Sequence, residues 1–491
     1  MSLEVECGWT LLRALILALI ATPTAALLAR SLGTASPRSR QWQVVALAIP
    51  VLTPGFVVGY SYSNLTLDLV RSPLLNELFY DLLLLFQIVP VGVLVLWMAP
   101  PPPLGPTGSW CLRLVGPRRL AQVDSCGRLG QLVNGPARNL VPAFGLMALL
   151  VFHEFEIASL FRVIAGQRLT PASWSNAMFE LIALQGLGER SPGDLWKSAW
   201  LPMICSLGLL TPLVALVRTA IRDTGTVRPI RAPENQRIRQ VATWTWLAVA
   251  LAVATVIPLA TLIRDALTRS FFDKQSIPGL ARAVEHSVRS LVPAVIVAVC
   301  AAVLAGWLLQ GRRLKTLMAV SLPGLLGSLL LGLSLTWLLL IAGPVAPRHS
   351  LIALCLGQTL WLLPRAALLV VLLAVLPNRE STHLARLLMH APTRRQRTAG
   401  WKLVWQQTGR RAAWLIGMLC WWSYLELTLN ELLASPQWLS VAHRMYQQMH
   451  FGRNAALSTT TLIVMLAPVA ILALLVSIGR LMPGTRLGGT R

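Results

Sequence analysis

Apolar runs of about 20 residues, separated by shorter polar stretches, recur along this chain from one end to the other. As a helix, each run is long enough to cross roughly 30 Å of hydrocarbon. The pattern predicts eleven spans, near 9–31, 42–62, 78–99, 140–163, 197–217, 241–263, 289–309, 316–343, 350–376, 412–433 and 456–478. Two-residue alternation of apolar and polar positions is absent, which argues against a β-barrel. The expected fold is all-α, a polytopic helical membrane protein.

Composition agrees with this reading, and charge adds a direction to it. Of 491 residues, 55% are hydrophobic and 13% charged, with a formal net charge of +24. The segments 32–41, 100–139, 218–240, 310–315 and 377–411, with the tail after 478 and the edge residues Arg30 and Arg218, hold 28 of the 43 Lys and Arg and four of the 19 acids. They alternate with segments in which acids and bases nearly balance. The positive-inside rule makes the basic set cytoplasmic. The basic charge therefore reports topology, and the expected surroundings are a lipid bilayer with no nucleic-acid partner. Eleven spans with a cytoplasmic C-terminus put the N-terminus outside a cytoplasmic (inner) membrane. A cleavable signal is the rival reading of residues 1–29. However, Glu4 and Glu6 precede the first apolar run and Arg30, Arg38 and Arg40 follow it, the reverse of a signal's charge order.

The chain also repeats itself at an offset near 273. "IPVLTPGFVVGYSY" from Ile49 answers "LPGLLGSLLLGLSL" from Leu322, pairing Pro50 with Pro323 and Gly59 with Gly332. "FQIVPVGVLVL" answers "LWLLPRAALLV", with Pro90 opposite Pro364, and "LRLVG" at 112–116 faces "ARLLM" at 385–389. "FHEFEIASLF" faces "YLELTLNELL", with Glu154 opposite Glu426, and the run from Trp9 resembles the one from His286. Matches in one order at one offset point to duplication. The matched spans are six apart, so the halves share an orientation. This divides the chain into a first half, 1–217, a cytoplasmic linker, 218–240, and a second half, 241–491. Each half has one long cytoplasmic loop, after its proline-bearing span and before its carboxylate-bearing span.

Candidate chemistry is sparse. Glu154 and Glu426, with Glu156 and Glu431 nearby, lie in or near apolar spans. A carboxylate there faces a cavity, a partner or the outer interface. Arg365 follows Pro364 in mid-span, and Glu426 is one candidate partner for it. Pro50, Pro54, Pro90, Pro258, Pro323 and Pro364 bend their helices. His443, Tyr446 and His450 share a helical face, which is either a metal site or one side of an amphipathic helix. The seven cysteines are scattered without metal-ligand spacing. No G-x-x-x-x-G-K-[ST], H-E-x-x-H or G-x-S-x-G occurs, so no cofactor, metal or catalytic group is expected, and any ATP must be hydrolysed on another polypeptide.

The second basic loop, "RLLMHAPTRRQRTAGWKLVWQQTGRR", holds seven Arg or Lys and no acid. It reads as a short helix stopped by Pro392, a basic turn and a second helical stretch, "TAGWKLVWQQ". Here the chain resembles the type I permease subunits of binding-protein-dependent ABC importers, in particular the fused two-half permeases of the ferric-iron type. "HLARLLMHA" lies over that family's E-A-A-R-x-x-G-A-S coupling motif, with His383 at the Glu position, Ala385 at the second Ala and Met389 at the Gly. "WCLRLVGPR" in the first half keeps Gly116 and has Trp110 at the Glu position. The segment from Tyr424 to Val476 is similar to the family's last two spans. The resemblance implies transport of a small solute such as ferric iron, a pair of cytoplasmic ABC ATPase subunits and an extracytoplasmic solute-binding protein. It also implies ATPase-coupling loops carried by Arg113, Gly116, Arg386, Leu387, Leu388 and Arg394, with Glu154, Glu426 and Arg365 on a translocation path. The competing expectation is a degenerate permease acting as a membrane scaffold, or a polytopic membrane enzyme.

Overall fold

The computed structural model describes residues 3–69, 71–98, 139–165, 173–185, 197, 199–211, 236–269, 276–310, 314–341, 350–375, 384–385, 387–405, 409–434, 440–450 and 457–466. Among these residues the backbone is helical apart from caps and turns, and no strand occurs. The chain divides into two compact units, residues 1–259 and 260–491.

Among the described residues six helices are long and apolar enough to cross a membrane, and up to eight spans result if each of two bent helix pairs is one span. Eight of the predicted runs fall on these six helices and two pairs. The remaining three, 197–217, 412–433 and 456–478, overlap shorter apolar helices, Ala199–Thr211, Ala412–Leu425 and Leu457–Leu466, and their residues 212–217 and 467–478 lie outside the described residues. The protein is thus an all-α chain of the multi-pass membrane type.

In the first unit, α1 (Leu3–Thr34) is followed by α2 (Pro37–Leu52) and α3 (Gly55–Leu69), then α4 (Pro73–Met98), α5 (Leu140–Phe152), α6 (Glu156–Ala165), α7 (Trp174–Gln185) and α8 (Ala199–Thr211). After α8 comes α9 (Gln236–Leu251), then a π-turn (Ala252–Val256). Helix α1 packs on α4 and α5, α3 on α6, and α9 on α2 and α1. Its buried positions are mostly small and recur at helical spacing: Cys7, Ala14, Ala18, Ala21 and Ala25. Its opposite face leaves Leu12, Ile16, Ile20 and Leu27 exposed, with Leu19 at 68%. Small residues inward and large aliphatics outward invert the soluble pattern. It is what lipid-facing helices need, because close backbone packing rather than water exclusion holds them together.

Helix α10 (Ile257–Arg269) spans the division between units. The second unit continues with α11 (Ser276–Gln310), α12 (Leu314–Leu325), α13 (Ser328–Ile341), α14 (Leu351–Val375), α15 (Arg394–Val404), α16 (Arg410–Leu425), α17 (Thr428–Leu433), α18 (Val441–His450) and α19 (Leu457–Leu466). Here α11 packs on α14 and α16, and α13 on α17. Ala294, Ala298, Ala301 and Ala305 line its inward face, while Val292, Val295, Ile296 and Val303 face out.

Each unit contains a bend for which the sequence supplies the cause. Between α2 and α3 the axis turns by 70° at Thr53–Pro54. Pro54 has no N–H to continue the ladder, and Thr53 closes α2 by donating its N–H and its hydroxyl to Ile49 O, both at 3.0 Å. Between α12 and α13 the turn is 100°, at Leu326–Gly327. Gly327 has φ 90°, a left-handed conformation that glycine adopts without steric cost.

Each unit also ties its long first helix to a later short one in the same way. The Thr10 hydroxyl donates to Glu6 O (2.7 Å) and accepts from Trp174 N (3.1 Å) at the start of α7. The Ser290 hydroxyl donates to His286 O (2.8 Å) and accepts from Val441 N (3.0 Å) at the start of α18. Each bond satisfies an N-terminal helix N–H that has no intrahelical partner.

Candidate functional site

The spans that carry Glu154 and Glu426 are each interrupted at that glutamate. Helix α5 closes at His153, whose N–H donates to Leu149 O (3.0 Å). The Glu154 carboxylate then accepts from Ile157 N (2.5 Å) and Ala158 N (3.3 Å), capping α6. It also accepts from the Tyr80 hydroxyl, while its backbone carbonyl takes the hydroxyls of Ser175 (2.7 Å) and Ser173 (3.4 Å). Two residues on, Glu156 Oε2 accepts from Phe56 N (3.0 Å), at the start of α3. The 154–156 segment thus caps two half-helices at once. In membrane, where no water reaches a broken helix, each free N–H needs such a partner.

Glu426 repeats the device in the second unit. It is buried, and its carboxylate accepts from Leu429 N (2.8 Å) and Asn430 N (3.3 Å). The Ser328 hydroxyl at the start of α13 bonds to it as well. Asn430 Nδ2 returns to the Glu426 carbonyl, and Ser423 and Gln358 exchange hydrogen bonds one turn earlier, the hydroxyl donating to Gln358 Oε1 at 2.7 Å. A small-residue contact accompanies each break. A Cβ at Gly59 would lie 2.8 Å from Leu160 Cδ1, and one at Gly332 would lie 2.6 Å from Leu432 Cδ1.

One feature of the first unit is not apparent from the sequence pattern. Arg13 on α1 is 3% exposed at its side chain and ion-pairs with Glu77 and, at 3.5 Å, with Asp81, both on α4. Its guanidinium lies 5.0 Å from the centroid of the Tyr80 ring, and Trp9 Nε1 donates to Glu77 at 3.2 Å. Tyr80 carries this cluster to Glu154. The cluster could have been found by noting that α1 and α4 start on the same side, which brings the charge at the head of one span beside the charges at the head of the other.

Arg365 is held within its own helix. Its guanidinium donates to Trp361 O at 2.8 Å and stacks 3.9 Å from the Trp361 ring centroid. It feels the charge of Glu426, but among the described residues no ion pair joins the two. His443 is partnered at both ring nitrogens, Nδ1 by Glu431 and Nε2 by the Gln447 amide at 2.7 Å. The side chains of Tyr446 and His450 lie outside the description, and no metal-ligand cluster occurs among the described residues.

Of the loop residues, Arg113, Gly116 and Arg386 lie outside the described residues. Leu387 is 58% exposed, Leu388 is half-buried and Arg394 is exposed. The turn ending at His390 runs into Pro392, and α15 starts at Arg394, four residues before the sequence-predicted stretch. Thr393 caps it, accepting from Gln396 N at 3.3 Å and donating to Gln396 Oε1 at 2.7 Å. A Thr followed three residues later by Gln is a capping-box arrangement. A Cβ at Gly400 would lie 2.7 Å from Met389 N and 3.0 Å from Leu388 Cβ, so the two helical pieces touch there. Leu388 packs inside this pair and Leu387 is presented outward.

Compared with known proteins, the chain matches no protein-family model, no curated protein and no solved structure.

Proposed function

We propose that this chain is the membrane-spanning permease subunit of an ABC importer, built as two duplicated halves in parallel orientation. Its eleven spans comprise the eight long or bent ones and the three shorter apolar helices. The observation that carries this reading is the common plan of the two units. In each, a long helix precedes a bent pair, a proline-bearing helix and then a span broken at a capping glutamate. Duplicated broken helices are how many transporters build two-state paths. ATP is hydrolysed on a separate pair of cytoplasmic subunits that seat the loops near 105–130 and 380–408, and a soluble binding protein delivers a small solute from outside. Leu387 is the apolar anchor of the second loop, and Arg394 belongs to its charged rim.

In this account Glu154 and Glu426 act first as caps. They influence the path by setting where each helix breaks, and Arg365 and Glu426 share its electrostatic field. A second reading, a non-transporting scaffold, draws support from the same observation, because both carboxylates are already engaged. One experiment separates the two. Purified from its own membrane in mild detergent, a permease subunit brings ATP hydrolysis with it, and Leu387→Asp releases that activity while the membrane protein stays folded. A folded chain with no associated ATPase favours the scaffold.

A further inference from the structure

Beyond Arg394, the outward face of α15 has a composition that the permease reading does not use. Arg394, Arg397, Thr398 and Trp401 recur at spacings of three and four, and Trp405 follows one turn later, so all five share a face. All are exposed, Trp401 at 66% and Trp405 at 61%. Arg395 and Lys402 flank them, and no acid occurs between 386 and 411. The opposite side of the helix is fastened to the preceding turn at Gly400, so this face is fixed in its presentation.

Its place in the chain says what covers it. Trp405 precedes the apolar stretch Ala412–Leu425 by seven residues, and its ring lies against Gly409, three residues before that stretch. The polar layer on each side of a bilayer is roughly 5–8 Å thick. The backbone is helical at both Trp405 and Gly409, and a Cβ at Gly409 would collide with the Trp405 ring. The indole therefore leans toward the span, over a glycine that leaves it room. Tryptophan prefers the headgroup level, where its ring is apolar and its N–H is wet. Basic side chains beside it attract anionic lipid.

We infer that this face of α15, through Trp401, Trp405, Arg397 and Lys402, binds the anionic phospholipid headgroups that border its own span. Leu384 and Leu387 on the preceding turn remain available to a protein partner. The lipid contact does not depend on the ATPase assignment, and its test has a different readout.

The full chain is placed in detergent, in phosphatidylcholine nanodiscs, and in nanodiscs of phosphatidylcholine with phosphatidylglycerol. A spin label is carried at Thr398→Cys in a cysteine-free background, and its access to oxygen and to a water-soluble nickel chelate is compared. Phosphatidylglycerol is expected to move the label into the headgroup environment. Each basic side chain gives about a fivefold preference for an anionic surface. Arg397→Gln with Lys402→Gln should therefore weaken the association about 25-fold, and Trp401→Ala with Trp405→Ala should abolish what remains in phosphatidylcholine alone. A label equally open to the chelate in both bilayers overturns the inference. So does equal protection in lipid-free detergent, which would assign the face to protein, either this chain or a second copy. Far-ultraviolet circular dichroism and thermal unfolding of each variant check that the fold is retained.

Discussion

The two glutamate breaks share a backbone device but differ in their surroundings. Glu154 and Glu426 each accept from the N–H groups three and four residues on. Around Glu154 stand Tyr80 and, through it, the ionic cluster of Arg13, Glu77 and Asp81. The groups that hydrogen-bond at and around Glu426 are neutral, Ser328, Asn430, Ser423 and Gln358, and the Arg365 guanidinium acts on it through its field without an ion pair. The position 276 residues after Arg13 is again arginine, Arg289, but it is exposed and paired with Glu285 on its own helix. Capping is therefore what the broken span requires, and the ion-paired cluster linked to the glutamate is, among the described residues, a feature of the first unit. That difference gives the halves different sensitivities to the same chemical change.

The largest effect is expected at Arg13. Arg13→Ala leaves Glu77 and Asp81 with no cation in a poorly hydrated site, a change of the kind that costs about 3–5 kcal/mol. Thermal unfolding in detergent and the amount of protein in the membrane should both fall sharply. Arg289→Ala, at an exposed i,i+4 pair, should cost at most about 0.5 kcal/mol. Equal effects would mean that the Arg13 cluster is hydrated.

The next effect is at the caps. Glu154→Ala and Glu426→Ala should each destabilise by about 1–2 kcal/mol, and the Gln variants by less, because an amide oxygen still accepts. Only Glu154 should couple to a tyrosine hydroxyl. A cycle with Tyr80→Phe should show an interaction of about 0.5–3 kcal/mol. The smallest effect is at the paired glycines. A Cβ at Gly59 meets the Ile157 backbone at 3.2 Å as well as a leucine tip, whereas at Gly332 it meets only leucine side chains. Gly59→Ala should therefore cost roughly 1–3 kcal/mol and Gly332→Ala less, since side-chain tips can move.

Much of the architecture was legible because hydropathy and proline placement are local signals. Eight of the eleven apolar runs fall on the long or bent helices, the other three overlap shorter apolar helices, and the bends occur within four residues of Pro50 and Pro323. The functional details were harder to read because they depend on which atoms meet. A glutamate in an apolar run looks like a path residue, and only the break after it reveals the nearby backbone N–H donors that each glutamate accepts from. Arg13, Glu77 and Asp81 sit near span heads and read as ordinary flanking charge until α1 and α4 are laid side by side. Leu387 and Leu388 look equivalent in sequence, yet Gly400 draws one of them inward.

The parallel orientation of the two units is the premise on which the permease account rests, and single-cysteine labelling in intact cells tests it directly. Glu4, Arg38, Gln396 and Gln447 are all exposed in the protein, so accessibility is decided by the membrane alone. With a membrane-impermeant thiol reagent, cysteines at Glu4 in the first unit and Gln447 in the second should be labelled. Those at Arg38 and Gln396 should react only after the membrane is opened. Labelling of Arg38 together with Gln447 from outside would place the units in opposite orientations and contradict the account.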